Sequence, residues 1–412
     1  MDQVPSGADF VWPLGGRVAG SPSPAVVGVG DLRAANAAAV LGAVRTADEP
    51  PRVAGLAEAT GLSRPTVEMI VDDLIGSGLV EETDRPPARG LRSPGRPARL
   101  FRFRPSAGYV ISVDVRTRAI RAALADLDGR VLAVRQRAVR DGAGGRGRAG
   151  AVVAAAQAVL AAAEVPAGRV CAATIGTPGV VDPGNLRIRQ ADNLIGWAGT
   201  DVVQVLGDAL GCPVAVENDA NLAALGEHWR GAGADVREMM FILLAERLGA
   251  GIITGGRLLR GQHGAAGEIG FIHFPLPAAV AGGDDPDRPG LRWAGESDVI
   301  AAAAAGTPEA VAVLESTGRR LADGVAPVLL ALDPALVVIG TGLFADPAAA
   351  PAAELVRGAA ERQARTLLVD PPDWRLSQLA DDAILTGGVR FGLAAVEHIL
   401  ATRPTSLFAD KP

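Results

Sequence analysis

At 412 residues, 49% of them apolar, the chain exceeds one typical domain and can build a core larger than that of a single small module. Its net charge is −6, and its two cysteines, Cys171 and Cys212, are too few for a disulfide framework or a cysteine zinc site. The longest uncharged run, Ala149 to Ala163, is shorter than the roughly 20 apolar residues of a bilayer span, so a protein of the reducing cytoplasm without a membrane segment is expected.

Residues 1–30 hold Pro5, Pro13, Pro22 and Pro24 among many glycines and lack the basic start and apolar core of a secretory signal, which predicts a disordered tail. A first helix is expected from about Leu32 to Arg45, with Val40, Leu41 and Val44 on one side. From Arg52 the order is a short helix, a turn at Gly61, then Ser63 as cap and Pro65 in the first turn of a second helix. Val67, Ile70, Val71, Leu74 and Ile75 form its apolar face, and Gly76 and Gly78 stop it. This is a helix-turn-helix. Leu79-Val80 and Leu100 to Phe103 read as the strands of a hairpin, a wing, around a loop in which Arg85, Arg89, Arg92, Arg96, Arg99, Arg102 and Arg104 occur without an acidic residue.

That segregation of positive charge in an acidic chain fits a polyanionic partner, double-stranded operator DNA. Ser63, Arg64, Thr66 and Glu68 open the second helix, where a winged helix meets base edges. In the wing, Gly95-Arg96-Pro97 is similar to a unit laid into narrow minor grooves, with Arg96 as the inserted group. The winged helix-turn-helix is assigned to residues 31–104, a two-lobed body to 105–400 and a C-terminal tail to 401–412.

Within the body, strands are expected at Tyr109 to Val113, Ala119 to Leu124 and Val131 to Val139, a meander. The same order returns at Met239 to Leu244, Gly251 to Thr254 and Arg257 to Leu259, which suggests two related lobes. Helices are read at Asp201 to Leu210, Ala220 to Arg230, Val299 to Ala305, Pro308 to Leu332 and Ala352 to Thr366. An α/β body with a cleft between its lobes follows.

Four strings in this order, Ile175-Gly176-Thr177-Pro178-Gly179-Val180-Val181-Asp182, Asn193-Leu194-Ile195-Gly196-Trp197, Glu217-Asn218-Asp219-Ala220-Asn221 and Gly264-Ala265-Ala266-Gly267-Glu268-Ile269-Gly270, resemble the ROK family of repressors and sugar kinases. The resemblance covers about residues 31 to 400. It implies an actin-like, ribonuclease-H-type fold with a sugar between the lobes and, in the repressor branch, a sugar-controlled DNA-binding domain. In the family's kinases the residue matching Asp219 is the general base. From the residues themselves, Asn218, Asp219 and Glu268 offer the donors and acceptors that match adjacent sugar hydroxyls. Asn218 and Asp219 are equally suited to cap the helix that follows them. Asn193 falls in a segment that the family places near the sugar, and a turn role suits it as well.

Two departures limit the chemistry. Where the family's kinases carry Asp-x-Gly-x-Thr, this chain has Asp114-Val115-Arg116-Thr117-Arg118, and the bulk of Arg116 obstructs a phosphate cradle. Glu246 would repel phosphate in the matching second turn, and Val337 to Leu343 reads as a buried strand ending in a glycine turn. ATP is therefore not expected. Many relatives follow the Ala-Gly-Glu segment with a histidine and a cysteine-rich zinc motif, whereas Phe271 stands here and Pro275 to Glu296 contains no cysteine, so no metal is expected. The sequence thus predicts a non-enzymatic regulator, a repressor of carbohydrate-related genes, acting as a homodimer or homotetramer with a carbohydrate effector.

Overall fold

The computed structural model describes residues 29–83, 99–140, 142–244, 248–271, 297–340 and 347–407. The first helix, α1 (Val29–Thr46), packs on α2 (Val53–Thr60) and α3 (Arg64–Gly76). Gly61 ends α2 at φ 70, the left-handed conformation that lets the chain reverse within three residues. Ser63 then caps α3: its hydroxyl accepts from the Thr66 amide at 3.3 Å. Val67, Ile70, Val71 and Leu74 are buried against Val40, Leu41, Val44 and Leu56, and Ile75 sits half-buried at the edge of this core. Strands β1 (Val80–Thr83) and β2 (Leu100–Phe103) pair antiparallel from Val80↔Phe103 to Thr83↔Leu100. Residues 84–98, with Arg96 and the Gly-Arg-Pro unit, lie outside the described residues, as does the expected tail through residue 28.

The body repeats one topology twice. Its first sheet has the order β5-β4-β3-β6-β9, built from β3 (Tyr109–Val115), β4 (Ala119–Asp126), β5 (Val131–Ala138), β6 (Val170–Thr177) and β9 (Val214–Asn218). The second has the order β12-β11-β10-β13-β14, from β10 (Met239–Leu244), β11 (Leu248–Thr254), β12 (Arg257–Leu259), β13 (Leu336–Gly340) and β14 (Asp373–Leu376). In each, an antiparallel meander is extended by two parallel strands on the other side of its first strand. The recurrent meander in the sequence marks this duplication. A small hairpin, β7 (Val180–Asp182) with β8 (Arg187–Gln190), projects beside the first sheet.

Helices α4 (Gly145–Ala162) and α5 (Val202–Leu210) cover the outer face of the first sheet, and α7 (Ser297–Ala304), α8 (Pro308–Leu332) and α9 (Ala350–Leu367) cover that of the second. Between the sheets lie α6 (Asp219–Arg230) and α10 (Ala383–Thr402), which share a core with Met239, Phe241, Leu336 and Val338. These two helices cross closely at glycines: a Cβ on Gly387 would run into the Leu222 carbonyl, and one on Gly226 into that of Ala383. Residues 380–402 have the length and mean hydropathy, 1.3, of a membrane span, yet 72% of that window is buried inside the protein.

Helix α10, about 30 Å long at 1.5 Å per residue, joins the two functional parts. Residues just before and at its start line the cleft. Farther along, Val389, Leu393, Val396 and Leu400 enter the same hydrophobic core as Leu41, Leu56 and Phe101 of the winged helix. The expected boundary at 401–412 is corrected here. A 3-10 turn at Pro404–Ser406 follows α10 directly and brings Leu407 into the winged-helix core, so the chain is anchored there as far as Leu407.

Candidate functional site

The cleft between the lobes encloses about 270 Å³ and brings together all four candidate effector residues, Asn193, Asn218, Asp219 and Glu268. Each is set in place by an identifiable local device. Asn218 ends β9 and caps α6: its side-chain oxygen accepts from the Asn221 amide at 3.0 Å and its amide group donates to the Gly179 carbonyl at 3.0 Å. Gly179 has φ 99, and a Cβ there would strike the Gln190 carbonyl, so only glycine lets the Thr177-Pro178-Gly179 turn approach β8. Trp197 is fully buried and donates to Thr177 Oγ1 at 2.8 Å, which fixes the loop carrying Asn193 against the same turn. Gly267, at φ 90, presses the Glu268 segment against β11, where the Ala250 amide donates to the Gly267 carbonyl at 2.8 Å.

Asp219 occupies the first position of α6 and accepts from the Ala220 amide at 2.8 Å. Burial pushes its carboxyl up to about 7, and the nearby charges of Asp114 and Glu268 push in the same direction. At neutral pH it is poised between donor and acceptor. The capping role is therefore real for Asn218, whose amide is committed on both sides, while Asp219 keeps a titrating carboxyl in the cleft.

On the other side of the cleft Arg116 reaches Asp114 at 2.6 Å and Asp381 at 2.7 Å. Arg121 joins this group, at 2.9 Å from Asp381 and 2.6 Å from Asp382, and also donates to the Asp381 carbonyl. Desolvation raises the Asp114 carboxyl, partly opposed by the Arg116 charge. The carbonyls of Arg116 and Thr117 receive Arg148, a buried arginine, at 2.7 and 3.1 Å, so the turn itself is braced. Sequence reasoning singled out Arg116 and missed its partner: Asp381 lies 265 residues away, a separation that leaves no local signal. It also missed Asp192 and Gln190, which line the cleft beside Asn193, and the buried Arg260–Glu217 pair at 2.6 Å, which ties the segment after β12 to β9. Glu246 and residues 341–343 lie outside the described residues. Among the described residues no group of three histidine, cysteine or carboxylate side chains is placed to hold a metal.

On the winged helix, Ser63, Arg64, Pro65, Glu68 and Met69 form an exposed surface on the first turns of α3. Ser63 and Thr66 are engaged with each other, Oγ to Oγ1 at 2.7 Å, so their hydroxyls serve the cap. The rest of the exposed face is acidic, with Asp72 and Asp73. Arg99 bonds Asp72 and Glu82, both at 2.9 Å, Arg33 bonds Asp73 at 2.7 Å, and Arg102 bonds Glu81 at 2.6 Å. Two of the seven wing arginines thus neutralise neighbouring carboxylates and fasten the base of the wing.

The ROK family profile matches residues 110–285, and the IclR helix-turn-helix domain profile matches residues 34–84. A glucokinase of Halalkalibacterium halodurans is 30% identical over 52% of this chain and 73% of its own length. The chain belongs to the ROK family. A putative xylose repressor of Caldicellulosiruptor sp. is 28% identical over 53% of this ROK chain, which spans about half, 54%, of that protein. Among solved structures, a ROK family transcriptional regulator described as a homolog of the E. coli MLC protein superposes with a TM-score of 0.68 at 22% identity, covering 91% of this chain and 100% of that one. The fold is therefore the two-lobed ROK body preceded by a helix-turn-helix domain.

Proposed function

We propose that this ROK protein is a transcriptional repressor of carbohydrate-related genes whose cleft senses a sugar and does not phosphorylate it. The observation that carries this reading is the divided cleft. Hydroxyl-matching groups converge on one side, while on the other Arg116 fills the space between Asp114 and Asp381 with its own guanidinium. A nucleotide phosphate arriving there would have to compete with the Asp114 and Asp381 carboxylates for that guanidinium. The similarity to xylose repressors and the fused helix-turn-helix support the regulatory half of the reading.

In this scheme Asn193, Asn218, Asp219 and Glu268 contact the sugar. Arg64 and Glu68 of α3 meet base edges, Ser63 and Thr66 shape the start of that helix, and Arg96 follows the DNA from the wing. The operator lies in the cytoplasm, and a two-fold homodimer or a homotetramer matches paired half-sites. A sugar controls DNA binding only by favouring one arrangement of the lobes.

The test is thermal unfolding of the full chain against a panel of sugars and Mg-ATP, followed by DNA binding with any sugar that responds. A sugar at about 100 times its Kd stabilises the folded protein by roughly 2.7 kcal/mol. The proposal requires a shift with a sugar, none with Mg-ATP, and altered DNA binding in the sugar's presence. Sugar-dependent consumption of ATP would replace it with the second reading, a kinase, which the glucokinase relative favours.

A further inference from the structure

The exposed face of α3 carries an apolar side chain, Met69, that is left half open to water. Met69 is 49% exposed, although the helix buries Val67, Ile70, Val71 and Leu74 on its opposite side. It stands one turn after Pro65 and directly after Glu68, in the part of the helix that carries Arg64. Beyond it, the outward carboxylates of Asp72 and Asp73 are already held by Arg99 and Arg33. The acidic half of the helix is thereby neutralised from its flanks, and the half bearing Arg64, Glu68 and Met69 is left to meet a partner.

These three side chains differ in chemistry. A guanidinium donates in bidentate fashion to guanine, a carboxylate accepts from the cytosine amino group, and a thioether does neither. The major groove offers one apolar group to such a side chain, the C5 methyl of thymine. Glu68 and Met69 are consecutive on the exposed side of α3 and project about 100° apart on the helix.

We propose that Met69 is a specificity determinant that reads a thymine methyl in the operator major groove. This rests on the reading of the chain as an operator-binding protein. A methyl opposite Met69 adds to the apolar surface removed from water, which makes thymine the preferred base at that position.

The experiment starts from a duplex selected from a random pool by the full-length protein, in which each thymine is replaced in turn by deoxyuridine. One position per half-site is expected where losing the methyl weakens binding about fourfold, the equivalent of about 0.8 kcal/mol for one buried carbon. Met69→Ala should bind the thymine duplex more weakly than the wild type and no longer distinguish thymine from deoxyuridine there. Met69→Leu should retain the distinction, and all three proteins should bind random-sequence DNA alike, which reports that the domain is folded. Full methyl discrimination in Met69→Ala, or no methyl-sensitive thymine in a duplex the wild type selects, overturns the proposal alone. Failure of the wild type to select any duplex overturns the operator reading and this proposal with it.

Discussion

The two ends of α10 are held by opposite kinds of force. At the cleft, Asp381 and Asp382 just before the helix are gripped by Arg116 and Arg121, and Arg116 and Asp381 each remain about a third exposed, 35% and 34%. At the winged helix, Val389, Leu393, Val396 and Leu400 are sealed in a hydrophobic core. Ion pairs open to water are directional and modest, whereas apolar burial is strong and indifferent to small changes of charge. The cleft end is thus suited to adjustment, and the winged-helix end to following it through the shared core.

Four changes break or sharpen that contrast. The largest effect is expected from Asp219→Asn beside the cleft end. Because the folded carboxyl is raised to about 7, the wild type gives up stability as pH rises from about 4 to about 7. The amide removes a cost of about 4 kcal/mol that is complete above that interval. Urea unfolding of both proteins across this range should show the gap widening and then levelling off; a constant gap would mean that Asp219 does not titrate there. Next, Leu393→Ala at the winged-helix end should cost about 2 to 5 kcal/mol by opening a cavity, and its operator affinity should fall while sugar-induced stabilisation persists. Arg64→Ala should weaken binding to the selected duplex by about 1 to 3 kcal/mol if a bidentate base contact is lost, read by titration at fixed salt, with unfolding unchanged. The smallest effect is expected from Asp382→Asn, whose carboxylate is 61% exposed beside Arg121, about 1 kcal/mol of stability, decreasing in high salt. That salt dependence separates the two ends, since the Leu393→Ala cost should not decrease in the same way.

The parts of this molecule that could be read from sequence are those whose signals are local. Gly61, Ser63 and Pro65 announce the turn and start of α3 within a few residues, and Gly129 and Gly255-Gly256 mark the second turn of each meander. Helix α10 escaped detection because it is buried on nearly all sides and contains Gly387, Gly388 and Gly392. It therefore shows neither an extended polar face nor a good helix propensity, its glycines answering to close packing on α6 and the first sheet. The alanine-rich α4 was noted only as an uncharged run for a related reason, having little contrast between its faces. In the cleft, motif residues were legible, whereas the partners of Arg116 and Arg260 were not, since an ion pair between distant segments leaves no pattern in either. The wing arginines mislead in the same way: Asp72, Glu81 and Glu82, which claim Arg99 and Arg102, precede the acid-free run.

The placement of Leu400 and Leu407 in the winged-helix core has a consequence for biosynthesis. Helices α1 to α3 leave the ribosome before the body, yet the side chains of Leu400 and Leu407 that complete their core are translated after it. A nascent chain can form the helix-turn-helix early but cannot fully consolidate it until the whole sensor has been made. Completion of the helix-turn-helix core is thereby postponed until the body has been made, and a chain cut short within the body would lack it.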